Sequence, residues 1–104
     1  MLLKNPALES PNISPSAYVS ESAVITGNVI IGERAFLALH SSIRADEPGS
    51  QVIIGNGCNI QDNVIIHTLT NTKAVIGDYS SPLMAALCTD RSRLERTVLS
   101  ALAL

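Results

Sequence analysis

Tryptophan is absent from this 104-residue chain, and Tyr18, Phe36 and Tyr79 are its only aromatic residues. A core here cannot be organised around large rings and must be built from Ile, Val, Leu and Ala, which supply most of the 46% apolar content. Charge is scarce as well: charged residues make up 15%, and the formal net charge is -2. Without an arginine-rich run or a basic excess there is no face suited to neutralising phosphates, so nucleic acid is excluded as an expected partner. No apolar run approaches the length of a membrane span, and Met-Leu-Leu-Lys-Asn-Pro has no apolar segment of signal-peptide length. The expectation is a cytoplasmic protein with no membrane partner. The two cysteines, Cys58 and Cys88, do not form a metal-type spacing and read as small buried residues rather than a disulfide.

What the chain does have is a period. Ile13, Val19, Ile25, Ile31, Leu37 and Ile43 fall at an unbroken spacing of six, and the series resumes at Ile54, Ile60 and Ile66. Neither a helix nor an ordinary strand repeats every six residues. Ile-Gly pairs at Ile31-Gly32, Ile54-Gly55 and Ile76-Gly77, with Ala and Ser between, complete a pattern of short strands joined by tight corners. Three such hexads make one turn of a prism. The aliphatic of each hexad points inward and stacks on its equivalent one turn later, about 4.8 Å along the axis. The fold class is therefore all-β: a parallel β-helix of hexapeptide repeats.

Two insertions interrupt the period. Five extra residues lie between Ile43 and Ile54, around Asp46-Glu47-Pro48-Gly49-Ser50, and four between Ile66 and Ile76, around Thr68 to Lys73. The organisation expected is an N-terminal segment over 1–12, the β-helix over 13–80 and a tail over 81–104. A length of 104 residues holds one domain, so a site must be built on a single core or shared between subunits.

Arg44, Asp46, Gln61, Asp62 and His67 lie beside the inward aliphatics, at corners or on outer faces, where charged groups are ordinarily solvated surface residues. Their combination says more. "Ser-Ile-Arg-Ala-Asp-Glu" followed by "Asn-Ile-Gln-Asp-Asn-Val-Ile-Ile-His" resembles, in order, spacing and lattice position, the signature of the γ-class carbonic anhydrases and their homologues, from about Asn12 to Tyr79.

The resemblance to this hexapeptide-repeat family implies a left-handed helix and a homotrimer with a metal site between subunits. His67 is then the first of three histidine ligands to a divalent metal, zinc in the first place, with iron or cobalt as alternatives. Gln61 is the glutamine that holds the metal-bound water or hydroxide. Glu47 is an acid that helps move protons. Arg44 and Asp46 are an ion pair across the subunit interface, and Asp62 and Asn59 belong to the same interface. His40 matches no ligand position and reads as a surface or interface residue. Three neutral imidazoles leave a divalent metal with an open position for water, whose pKa the metal lowers to about 7. The resemblance implies that such a hydroxide would attack carbon dioxide and release bicarbonate, the proton of the water being exported by a carboxylate or a water chain.

The family places two further histidines downstream, spaced His-x-x-x-x-His, and none follows His67 here. In their place is Ser-Ser-Pro-Leu-Met-Ala-Ala-Leu-Cys-Thr-Asp-Arg-Ser-Arg-Leu-Glu-Arg-Thr-Val-Leu-Ser-Ala-Leu-Ala-Leu. One reading of this tail is a short C-terminal α-helix, capped by Ser81 with Pro82 in its first turn. Another comes from the genetic code. If each new codon takes the third base of one codon and the first two of the next, the Met84-Ala85 junction encodes glycine and the Cys88-Thr89 junction only histidine or tyrosine. Permitted choices elsewhere allow "His-Gly-Cys-Thr-Leu-His-Gly-Pro-x-x-Ile-Gly", the string the family would have. One turn of three hexads plus the four-residue insertion puts the residue stacked on His67 near position 89, where the shifted frame holds its second histidine. The expectation is a frameshifted product that retains little activity and does not keep its metal. The alternatives are a hexapeptide acyltransferase, which shares the fold, and a non-catalytic trimeric assembly or binding protein.

Overall fold

The computed structural model describes residues 1–6 and 8–79. The proposed C-terminal helix, Cys88 and the position expected to stack on His67 lie outside them. Among the described residues there is no helix, and so none long and apolar enough to cross a membrane.

Eleven short strands form three parallel sheets. β1 (Leu2–Leu3), β4 (Val24–Gly27), β7 (Ser42–Ala45) and β10 (Ile65–His67) make the first sheet. β2 (Asn12–Ile13), β5 (Val29–Ile31), β8 (Gln51–Ile54) and β11 (Lys73–Ile76) make the second, and β3 (Tyr18–Val19), β6 (Phe36–Leu37) and β9 (Asn59–Ile60) the third. Successive strands visit the three sheets in turn, so the chain winds as a three-sided β-solenoid. Such a solenoid is consistent with the left-handed helix that the resemblance implies.

The six-residue period is the stacking register. Ile25 pairs with Ile43 and Ile43 with Ile66 in the first sheet. Ile13, Ile31, Ile54 and Ile76 form the corresponding column in the second, and Val19, Leu37 and Ile60 in the third. Ile25, Leu37, Ile43, Ile60 and Ile66 are completely buried, each such side chain contributing about 1.5–3 kcal/mol by leaving water. Ile13 and Val19 are only partly buried, although they share the period, because they lie in the first turn, where fewer residues stack over them. In the first sheet the residue following each inward aliphatic is half-buried on the outer side, which sets Thr26, Arg44 and His67 in one column.

Corners between sheets use left-handed backbone, as tight turns require. Arg34, Gly57 and Tyr79 form one column of positive φ, and His40 and Asn63 another. Side chains tie the corners of consecutive turns together: Ser22 Oγ accepts from the His40 N–H at 3.0 Å, and Asn56 Oδ1 from the Glu33 N–H at 2.8 Å. His40 is thus an exposed corner residue. Gly27, at φ 84°, lies so close to β7 that a Cβ would fall on the Ala45 carbonyl. The buried amide of Asn5 donates to that same carbonyl at 3.2 Å.

Candidate functional site

Both insertions leave the solenoid at the corner between the first and second sheets, on consecutive turns. They stack as the strands do: the Asn71 N–H donates to the Pro48 carbonyl at 2.9 Å, and the Gln51 N–H to that of Thr72 at 3.1 Å. The inserted segment after β7 therefore carries Asp46 and Glu47 up to the end of β10, where His67 faces outward.

Four of the residues singled out in the sequence meet there. His67 Nε2 lies 3.7 Å from Asp46 Oδ1 and 3.5 Å from Glu47 Oε2, while Arg44 Nε lies 3.5 Å from Asp46 Oδ2. The side chains are partly exposed, His67 least at 25%. Yet His67 Nε2, Asp46 Oδ1 and Arg44 Nε are themselves shielded from water and have no hydrogen-bond partner among the described residues. Shielded polar atoms without hydrogen bonds are costly, and here they lie in ion-pair range instead, Arg44 Nε beside Asp46 and His67 Nε2 beside both carboxylates. Within the chain, Arg44 and Asp46 lie in ion-pair range of each other.

Glu47 is held from the other loop. Its Oε1 accepts from both the backbone N–H and the Oγ1 hydroxyl of Thr70, each at 2.8 Å. Thr70's hydroxyl is the main reason that the Glu47 carboxyl sits below its ordinary value of 4.5. Partial desolvation opposes the shift, and the Thr70 N–H, His67 and Arg44 assist it. Thr70 is absent from the sequence-based set of site residues. Only the loop stacking reveals it, although its 23-residue separation from Glu47 equals that of the register pair Arg44 and His67.

The remaining candidates are not drawn into this cluster. Gln61, partly buried, follows β9 at the corner leading to β10, and Asn59 is exposed on β9 beside Phe36. Asp62, also exposed, lines a shallow groove of about 290 Å³ with Tyr18, Phe36 and Leu39, where the Tyr18 and Phe36 rings stack with centroids 5.0 Å apart. No hydrogen bond or ion pair joins Asn59, Gln61 or Asp62 to His67 among the described residues.

A shielded imidazole nitrogen is the donor a divalent metal takes. However, the two carboxylates beside it are engaged with Arg44 and Thr70. Among the described residues no group of three or more His, Cys, Asp or Glu side chains is placed to hold a metal ion. This donor set does not fit the three-imidazole site that the resemblance implies.

Comparison with known proteins agrees with the resemblance carried by the motif. The chain is 39% identical over 70 residues to a carbonic anhydrase of Geobacillus kaustophilus, a match covering 67% of this chain and 37% of the relative. It is 38% identical over 65 residues to a carbonic anhydrase of Methanosarcina thermophila, covering 62% and 26% respectively. It is also 37% identical over 68 residues to the carnitine operon protein CaiE of Escherichia coli O157:H7, covering 65% and 34%. The matched part thus spans between about a quarter and two fifths of these relatives' lengths. No family model matches the chain.

Proposed function

We propose that this chain is a carbonic-anhydrase-like hexapeptide-repeat protein, in whose lineage the reaction is the reversible hydration of carbon dioxide to bicarbonate, and that the chain itself carries out little or none of it. The observation that supports this reading is the surrounding of His67: one shielded imidazole nitrogen flanked by two carboxylates, on a chain with no ligand group for a metal among its described residues. In this reading Glu47 and Gln61 retain the positions for proton and water handling, and Arg44, Asp46, Asn59 and Asp62 serve a homotrimer interface. The chain would hold zinc, iron or cobalt at well under one ion per subunit.

The test is stopped-flow hydration of carbon dioxide with the purified protein, with and without added zinc, beside a measurement of its metal content. The expected result is no chelator-sensitive hydration above the buffer rate. Hydration that zinc restores and a chelator abolishes would refute the reading and show that further donors complete the site. The missing ligand group equally favours a second reading, a non-catalytic trimeric assembly or binding protein. Stable trimers without bound metal, measured by light scattering, are its expected signature.

A further inference from the structure

Besides their backbone bonds, the two inserted loops are joined through Glu47 and Thr70. Thr70 stacks over Glu47 with the same 23-residue offset that places His67 over Arg44, so the column continues past the strand ends into the loops. Both donors of Thr70, its backbone N–H and its hydroxyl, converge on one oxygen, Glu47 Oε1, at 2.8 Å each. With that oxygen occupied twice over, the carboxylate cannot rotate freely about its last bond. Its other oxygen, Oε2, is the one that stands 3.5 Å from His67 Nε2. Two donors on one carboxylate oxygen restrict the group to a narrow range of orientations, which a single bond from a mobile side chain would not.

We infer that Thr70 is a positioning residue of this site, fixing Glu47 so that Oε2 faces the His67 imidazole. The inference rests on the proposed role of the Glu47 and His67 pair but concerns the geometry of the pair, which exists whether or not carbon dioxide is hydrated. It also accounts for both insertions: one carries the carboxylate out to the imidazole, and the other supplies the residue that orients it. A merely structural Thr70 would hold the loops together and leave the imidazole's surroundings unchanged when its hydroxyl is removed.

The chain holds two histidines, and His40, on a different corner, serves as an internal reference. The experiment is NMR of the histidine ring signals in the metal-free full-length protein at one fixed pH, with His67→Gln used for assignment. Thr70→Val removes the hydroxyl and keeps the backbone N–H. The His67 signals are expected to move away from their wild-type positions while those of His40 stay, and Thr70→Ser is expected to return them. Combining Thr70→Val with Glu47→Gln should displace His67 no further than Glu47→Gln alone. The control is Thr72→Val in the same loop, whose hydroxyl bonds the Leu69 carbonyl and not Glu47. Unmoved His67 signals in Thr70→Val, or an equal displacement in Thr72→Val, would overturn the inference. Thr70 is exposed, and Thr70→Ala provides the same readout if the valine variant does not fold. Hydration detected in the activity assay would refute the functional reading while leaving this result standing.

Discussion

Ile30 and Ile31 are adjacent, chemically identical and on opposite faces of β5, so truncating each in turn tests the solenoid register directly. Ile31 is 2% exposed and stacked between Ile13 and Ile54, whereas Ile30 is 36% exposed on the outer face. Ile31→Ala removes three carbons at about 0.8 kcal/mol each, and the cavity left in a closely packed column raises the cost to about 3–4 kcal/mol. A domain of this size has a total stability of only about 5–15 kcal/mol. With a urea dependence near 1.5 kcal/mol/M, the unfolding midpoint should fall by roughly 2 M. Ile30→Ala should cost about 1 kcal/mol or less, because its loss is mainly strand preference and partial burial. Urea titrations followed by circular dichroism provide both numbers from one pair of proteins. Equal losses, or a larger loss for Ile30, would refute the stacking register, since a slip of one residue exchanges the two faces.

Two further outcomes follow from local geometry. Gly27→Ala should destabilise the chain by at least about 2 kcal/mol in the same titration, because it adds left-handed backbone strain to a collision with the Ala45 carbonyl; a loss below about 0.5 kcal/mol would show that β4 and β7 can separate at that point. Glu47 titrates below its ordinary value of 4.5 in the folded chain, so its contribution to stability is present above that pH and disappears as the pH falls through the lowered value. Urea midpoints measured from pH 7 downward should therefore fall more steeply below about pH 4.5 in the wild type than in Glu47→Gln, and parallel curves would contradict the Thr70 contact.

The periodic part of this fold is legible in the sequence because hexads leave little choice. An aliphatic every sixth residue can be buried only by stacking, so the columns of Ile25, Ile43 and Ile66 or Ile31, Ile54 and Ile76 follow from spacing alone. The interruptions are legible as interruptions and no more. Nothing in Asp46-Glu47-Pro48-Gly49-Ser50 says which way an aperiodic loop turns, and so the convergence of Asp46 and Glu47 on one imidazole had to come from the structure. Thr70 was hidden for the same reason: an exposed threonine in a polar loop has no distinguishing pattern until its stacking partner is known. Leu2–Leu3 pairing with β4 was hidden too, since two residues are too few to display a period.

A cause in the nucleic acid for the two histidines missing after His67 is a testable expectation. If the residues after Tyr79 were a native replacement for the missing hexads, their shifted reading frame would be arbitrary, and a histidine codon across Cys88-Thr89 would be one accident among many. If they arose by a frameshift, the shifted frame must hold histidine at that junction, another five codons earlier, glycine across Met84-Ala85 and renewed Ile-Gly pairs beyond. The amino-acid sequence already permits each of these. The six-residue period adds a further condition on the sequence, because three hexads and one four-residue insertion counted from His67 lead to about position 89. Sequencing the encoding DNA across Ser80 to Leu104 is therefore expected to show His-x-x-x-x-His in the shifted frame. A gene repaired at that point should then bind metal at one ion per subunit and hydrate carbon dioxide. Tyrosine at the Cys88-Thr89 junction, or no histidine five codons before it, would refute the frameshift. Arg44, Asp46, Glu47 and His67 would then be better read as part of a binding surface in a homologue that never held the metal.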